Sequence, residues 1–313
     1  MSNEGLRNPP GTIDWLLAGD PAVRWQVLAD LLDAPPAEVS AARARVATEG
    51  WGAELLARQD ADGRWAQALY SPKYTSTTHT LLLLQRLGLP WGNQRALAGV
   101  RLLWDGATFD DGGLTFGRAV GRPEACITAM LVGLAAGFGL EDARVPAAVD
   151  WLLRIQLPDG GWNCRTVRDG SRHGSFHTTI LVLEALLGYQ RAGGPTPVEE
   201  PMAEGRRFLL EHRLCRSHRT GEIVDARYLR FPSAPGWHYD VVRGLEHFRN
   251  AGAPKDPRLQ DGIDAIEHLR RADGRWPRQA PYSGKYWFLL EPSGPSGLAT
   301  LRALRILRWW ELS

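Results

Sequence analysis

The chain carries three cysteines and three lysines in 313 residues. So few cysteines exclude a disulfide framework. The longest aliphatic runs, such as Leu81 to Leu84, are far too short to span a bilayer. The opening residues, MSNEGLRNPPG, lack a cationic segment followed by an apolar one. No secretory signal is expected, which predicts a cytoplasmic protein with reduced thiols. Basic and acidic residues nearly cancel, 37 against 35, and no long basic run occurs. That leaves no electrostatic footprint for nucleic acid or an anionic membrane. The phosphate-binding glycine fingerprints GxGxxG and GxxxxGKS/T are missing. Period-two β-branched stretches are missing too, so no sheet is expected.

What the chain has is a repeat. Gln59-Asp60-Ala61-Asp62-Gly63-Arg64-Trp65 recurs as Asp110-Asp111-Gly112-Gly113, then as Gln156-Leu157-Pro158-Asp159-Gly160-Gly161-Trp162. A degraded copy lies at Thr220-Gly221-Glu222, and the last is Ala272-Asp273-Gly274-Arg275-Trp276. The glycine anchors are spaced by 49, 48, 61 and 53 residues. A period near 50 with a Gly-rich turn predicts stacked helical hairpins. The turn itself reads as structural, with Gly for the tight bend, Trp for packing and Gln bonded to backbone. Asp62, Asp159 and Asp273 are therefore not read as catalytic.

Segments 77–87, 126–138, 177–189 and 298–309 are apolar on most faces, as helices buried on both sides must be. Segments 23–32 and 240–248 extend this inner set to six. Amphipathic partners at 39–59, 92–104, 146–156, 200–215 and 258–272, with a sixth starting at Ile13, form an outer set. Six inner and six outer helices predict an all-α fold, an (α/α)6 toroid. Residues 1–313 are read as one such domain, with 1–11 an N-terminal extension. Parallel inner helices would place six positive dipole ends at one mouth, which favours an anionic ligand there. Arg24, Trp25, Tyr74 and Thr75 would line that mouth, as would His79, Cys126, His177, His238, Tyr239 and Ser296. Segments 163–176 and 277–296 are longer than turns and are expected to cover its rim.

Cys126 and His177 begin successive inner helices, and Cys164 lies in the loop between them. Two thiols, an imidazole and water would make an open zinc site, with Glu124 and His173 as further ligands. The structural alternative makes Cys126 a small core residue and His177 a cap. His212, Cys215 and His218 form a second cluster, but on one continuous helix i and i+6 face apart. They are read as surface composition.

Gly112-Gly113-Leu114-Thr115-Phe116-Gly117-Arg118 with Glu124-Ala125-Cys126 is similar to the Gly-Gly-Phe-x-Gly-Arg…Asp-x-Cys stretch of protein prenyltransferase β subunits. Gln156-Leu157-Pro158-Asp159-Gly160-Gly161 and Phe176-His177-Thr178 resemble their Gln-x-Pro-x-Gly-Gly…Tyr-His-Thr stretch. The chain thus resembles the prenyltransferase and squalene-cyclase superfamily from about residue 20 to 310. The resemblance implies zinc on Glu124, Cys126 and His177, and a prenyl diphosphate on Arg118 and Arg122. Cys164 has no family counterpart, and Glu124 stands where the family has Asp. The family β subunits also pair with a helical α subunit that this chain does not contain. Squalene cyclases carry an Asp-x-Asp-Asp acid motif, whereas here Asp110-Asp111 lacks the first Asp.

Three functions follow as expectations. The first is a zinc-dependent enzyme on an isoprenoid or other apolar substrate, prenyltransferase- or terpene-cyclase-like, with Trp and Tyr faces shielding a carbocation. Tyr74 would touch substrate, and His79, His238, Tyr239 and Asp240 would supply acid–base chemistry. The second is a non-catalytic toroid that carries an apolar ligand or docks a partner. The third is a glycan-acting enzyme, which needs two carboxylates about 5–9.5 Å apart. Asp110, Asp111, Asp240 and Glu291 are its candidates.

Overall fold

The computed structural model describes residues 11–117, 121–233 and 236–312. Three repeat turns are built alike. Trp65, Trp162 and Trp276 are fully buried. Each indole N–H donates to a carbonyl near the end of the preceding outer helix: Leu55 at 2.8 Å, Leu152 at 2.7 Å and Ile266 at 2.7 Å. Each tryptophan amide donates to a threonine hydroxyl in the first turn or so of the next inner helix, Thr77, Thr179 or Thr300, at 3.0 Å. The Gln59 and Gln156 side chains close the turns on the Gly63 and Gly160 carbonyls, both at 2.8 Å. Those glycines sit at φ 88° and 85°, where a side chain would be strained. The motif therefore joins outer to inner helix by satisfying buried polar groups.

The inner helices are α2 Pro21–Asp30, α5 Thr77–Leu87, α7 Ala125–Phe138, α10 Phe176–Arg191, α12 Val241–Asn250 and α14 Gly297–Glu311. The outer set comprises α1 Thr12–Leu17, α3 Pro36–Ala44, α4 Gly50–Ala57, α6 Gln94–Gly106, α8 Arg144–Arg154, α11 Glu199–Glu211 and α13 Gln260–His268. A short helix, α9 Arg165–Asp169, lies in the loop before α10. Gly133 on α7 faces Ala185 on α10, and a Cβ there would meet the Ala185 Cα at 3.6 Å. Small residues let these two helices pack closely.

Two departures from the sequence reading have local causes. The outer segment 39–59 is split into α3 and α4. Gly50 turns the chain at φ 61°, and a Cβ there would stand 2.1 Å from Asp20 Oδ2. Asp20 uses that carboxylate to accept the Ala22 and Trp51 amides, both at 2.8 Å. Second, a hairpin, β1 Thr108–Asp110 with β2 Gly113–Thr115, stands where no strand is predicted. Asp111 and Gly112 both have positive φ, 49° and 96°, the two-residue Asp-Gly hairpin turn. The repeat signal at this position doubles as a hairpin signal.

The six inner helices surround one axial cavity of about 660 Å³ and all contribute to its wall. The ring closes where α14 meets α2. Arg305 bonds the Gln26 side chain at 2.9 Å, and Arg308 donates to the Asp30 carbonyl at 2.7 Å and pairs with Asp33. The architecture is an all-α α/α toroid. No helix among the described residues is long and apolar enough to cross a membrane.

Candidate functional site

The axial cavity is lined mainly by the middle and C-terminal parts of five inner helices and by Leu298 to Arg305 of α14. It opens at their C-terminal end, where Trp91 stands 66% exposed on the rim. The sequence reading places the ligand at the opposite, N-terminal mouth. There the space is largely filled. Residues 277–296 lie across that mouth, tied down by Tyr74 N–H to Lys285 O at 2.6 Å, Lys285 N–H to Lys73 O at 2.7 Å and Trp287 Nε1 to Thr80 at 3.1 Å. Tyr286 stacks on Tyr74 at 5.1 Å and Tyr282 on His238 at 3.6 Å. A smaller pocket of about 70 Å³ remains beneath this cover. Leu82, Leu83, Arg86 and Ser233 line both spaces, so they share a wall.

His79 is the group of interest in the smaller pocket. It lies in the first turn of α5, is buried, and has no hydrogen-bond partner at either ring nitrogen. Burial, with Lys73 nearby, pushes it down to about 4, so it is neutral at pH 7. Tyr70 and Tyr74 flank its ring at 5.4 and 5.2 Å. Tyr74 donates or accepts at His238 Nε2 over 3.0 Å. Burial, with His177 and Lys73, pushes His238 down to about 3. Of the expected mouth residues, Tyr74 and His79 line this pocket. Arg24 is exposed, and Trp25 stands at the other end, its indole on the Leu87 carbonyl at 2.9 Å.

Tyr239 and Asp240 line neither space. The Tyr239 hydroxyl donates to the Leu214 carbonyl at 2.7 Å, and burial carries its pKa well up. Asp240 caps α12, its Oδ1 accepting the Arg243 amide at 2.7 Å with Arg302 at 3.5 Å. Its Oδ2 is buried without a partner, and burial raises its pKa.

The expected zinc ligands are only partly gathered. The Cys126 amide donates to Cys164 Sγ at 3.0 Å, and Thr178 Oγ1 lies 3.5 Å from the same sulfur. Cys126 is held well above the usual thiol range by its hydrogen bond to Cys164 and by burial, whereas that same bond lowers Cys164. Glu124 Oε2 accepts from Thr115 Oγ1 at 3.1 Å. His177 Nδ1 accepts the Tyr239 amide at 2.8 Å, and its ring packs among Tyr228, Trp237 and His238. His173 is exposed. Among the described residues no group of three or more His, Cys, Asp or Glu is placed to hold a metal ion.

Arg118 lies outside the described residues. Arg122 donates to the Val167 carbonyl at 3.1 Å in an exposed position. Asp110 and Asp111 are exposed on the hairpin, and Asp111 pairs with Arg154 at 3.1 Å. Glu291 accepts from Ser233 at 2.7 Å and from the Leu298 amide at 3.0 Å at the start of α14. These carboxylates form no facing pair. His212 and His218 lie beyond the end of α11 and meet at 3.0 Å, because the chain turns where a continuous helix would have separated them.

Sequence reasoning missed the ionic network inside the ring. Arg243, 1% exposed, is held by Glu184, which also pairs with Arg86 at 3.2 Å. Glu246 takes Arg302 at 2.8 Å and also Arg305, and Asp30 takes Arg249 at 2.6 Å. Burial alone would raise Glu184, but Arg243 and Arg86 hold it at about 2. The signal was present as charges inside otherwise apolar inner helices, such as Glu184 within ILVLEALL.

No family model matches the chain, and no curated protein does. Among solved structures it is similar to a protein from Actinoplanes, 19% identical, TM-score 0.47, with 93% of this chain and 90% of that one covered. It is also similar to the apo type II terpene cyclase MstE from Scytonema, 17% identical, TM-score 0.46, with 92% and 86% covered. A variant of that enzyme in complex with its product, merosterolic acid A, gives 14% identity and TM-score 0.34, with 87% and 97% covered.

Proposed function

We propose that this toroid is a cyclase-like enzyme acting on an isoprenoid or a comparable apolar substrate. The observation that carries the reading is the small, mainly apolar pocket beneath the cover, which shares a wall with the axial cavity and holds neutral, unpartnered His79. Leu82 and Leu83 provide wall to both spaces, and Tyr74, Tyr286, Trp287 and Phe288 supply aromatic faces. Such faces stabilise a passing carbocation through the ring quadrupole, and the cover excludes the water that would quench it. In this reading the allylic C–O bond of a diphosphate substrate breaks, its electron pair leaving with the diphosphate, and an alkene of the same substrate gives its pair to the resulting cationic carbon, forming a C–C bond and moving the charge. His79 then accepts a proton from the carbon next to the final cation, and the C–H pair becomes the product's double bond. Asp240 acts as a positioning residue that fixes the start of α12.

Incubation with farnesyl and geranylgeranyl diphosphate and with uncharged isoprenoids, followed by mass spectrometry of the extract, tests this. New products in wild type that His79→Phe loses by about a hundredfold or more support it. Tight binding with no turnover would replace it with the carrier reading, which the open end of the chamber favours. No binding of any isoprenoid would sink both.

Zinc dependence is a finer version of the proposal, and it requires a third ligand to reach the Cys126–Cys164 pair. No step above passes through a metal. Elemental analysis of wild type beside Cys126→Ala and Cys164→Ala decides it: stoichiometric zinc lost in both variants would establish the site.

A further inference from the structure

Three arginines meet inside the ring, and the protein satisfies two of them. Arg243 gives Nε and Nη2 to Glu184 and Nη1 to the His238 carbonyl at 2.7 Å. Arg302 gives Nε and Nη2 to Glu246 at 3.0 and 2.8 Å, and Nη1 to the Pro232 carbonyl at 3.3 Å. The third, Arg86, makes one bond, from Nη2 to Glu184 Oε2 at 3.2 Å. That carboxylate is already held by the fork of Arg243, so two guanidiniums share one negative charge. Nε and Nη1 of Arg86 have no partner among the described residues, and neither is sealed off from open space as the His247 ring nitrogens are. The Arg86 side chain is 28% exposed, yet burial lowers its pKa to about 10. Its exposed part therefore faces the two internal spaces that it lines. Arg86 stands in the last turn of α5, but it does not serve the carbonyls there. Leu84 and Gln85 are taken by the Leu89 and Gly88 amides, Leu87 by Trp25 and Gly88 by Arg43.

We propose that Arg86 binds an anionic group, a phosphate or a carboxylate, of a ligand whose apolar part lies along Leu82 and Leu83 toward His79. This rests on reading these spaces as the substrate site, and it moves the charged end of that substrate from Arg122 into the ring. Positions 79, 82, 83 and 86 are spaced i, i+3, i+4 and i+7, so they share one face of α5. All four line the smaller pocket, and Leu82, Leu83 and Arg86 also line the axial cavity, whose 660 Å³ gives an anion room. The helical rise sets Arg86 about 10 Å along α5 from His79, with the two leucines between. A guanidinium short of negative charge is costly in such an interior. A bound anion supplies the charge and takes the open N–H groups, in a fork that matches both phosphate and carboxylate. The axial wall as a whole has the same bias, six arginines against the three carboxylates Asp30, Glu184 and Glu246. In the reaction proposed above, the departing diphosphate stays on Arg86, two helical turns from the histidine that takes the proton.

The test is a calorimetric titration of the full chain with farnesyl diphosphate, farnesoic acid and farnesol. At least one of the anions is expected to bind about tenfold or more tighter than farnesol, the value of one charge-assisted hydrogen bond. Which anion does so separates phosphate from carboxylate. Arg86→Met leaves Glu184 in the fork of Arg243, so the fold keeps that pair. In this variant the anion advantage is expected to fall about fivefold or more, with farnesol affinity unchanged within about twofold. Arg86→Lys keeps a cation beside Glu184 but loses the planar fork, and is expected to lose about threefold or more; it decides the matter if Arg86→Met does not fold. Equal binding of farnesol and both anions would overturn the anion site and leave the apolar spaces as the substrate site. An anion preference undiminished in whichever variant folds would place the charge elsewhere and overturn it too. Failure of all three probes to bind would defeat the substrate-site reading itself.

Discussion

Arg243 and Glu184 share two parallel hydrogen bonds, Nε to Oε1 at 2.7 Å and Nη2 to Oε2 at 2.6 Å, joining α12 to α10 inside the ring. The arginine is buried while the carboxylate stays one-third exposed. Removing the carboxylate strands a buried cation, so Glu184→Ala is expected to cost about 3 kcal/mol. The low end of the usual range applies because water reaches Glu184. The urea midpoint measures it; a change below about 0.5 kcal/mol would show that the pair does not hold the ring.

Four histidines make the fold sensitive to acid. His79 and His177 are pushed down to about 4, and His238 and His247 to about 3, in each case chiefly by burial. Their ordinary value is 6.5, so below it the unfolded chain binds protons that the folded chain refuses. The stability they contribute is full above about pH 6.5 and is lost as pH falls toward 4. The thermal midpoint should drop steadily from pH 7 to 4.5, and His247→Phe should flatten that slope. A midpoint constant over this range contradicts the burial of these rings.

One of the three thiols should react ahead of the others. Cys164 is lowered by its hydrogen bond from Cys126, Cys126 is raised, and buried Cys215 is pushed up to about 11. Thiolate is the nucleophile, so iodoacetamide at pH 8 is expected at Cys164 before either Cys126 or Cys215. Cys126→Ala removes one donor to the Cys164 sulfur and should slow its alkylation severalfold, as peptide mass mapping would show.

The repeat turn predicts a matched pair of losses. Thr179→Val leaves the Trp162 amide buried without its acceptor and should cost about 1–3 kcal/mol. Trp162→Ala removes the whole side chain and its bond to Leu152, and should cost about 3–5 kcal/mol. Denaturant midpoints that leave Thr179→Val at wild-type stability would mean the amide finds water instead.

Much of this architecture was legible in the chain. The six inner helices follow from segments apolar on most faces, and the Gly-Trp turns follow from their spacing. The hairpin at Asp111 and Gly112 was hidden because its turn residues also fit the repeat. The site was legible less well. That His79 and Tyr74 lie beside one pocket was legible, because helix starts at a ring mouth are readable from periodicity. The covering role of 277–296, through Tyr286 and Trp287, was readable from its length. The buried His247 was not singled out, since it sits near a helix C-terminus, where cationic residues are ordinary partners of the dipole. Its distinction is two unpartnered ring nitrogens, and only three-dimensional packing reveals that. His177 shows the reverse: its sequence context suggested a ligand, but the Tyr239 amide occupies one nitrogen.

The junction of α14 with α2 has a further consequence. A linear array of helical hairpins needs a polar cap at each end, because each terminal unit exposes an apolar flank. Here the two flanks cover one another, across more than 270 residues of intervening chain. A chain emerging from the ribosome holds an open horseshoe until α14 arrives. The binding space therefore comes into being in a single step when α14 docks on α2, and a fragment that stops short of α14 has no chamber to fill.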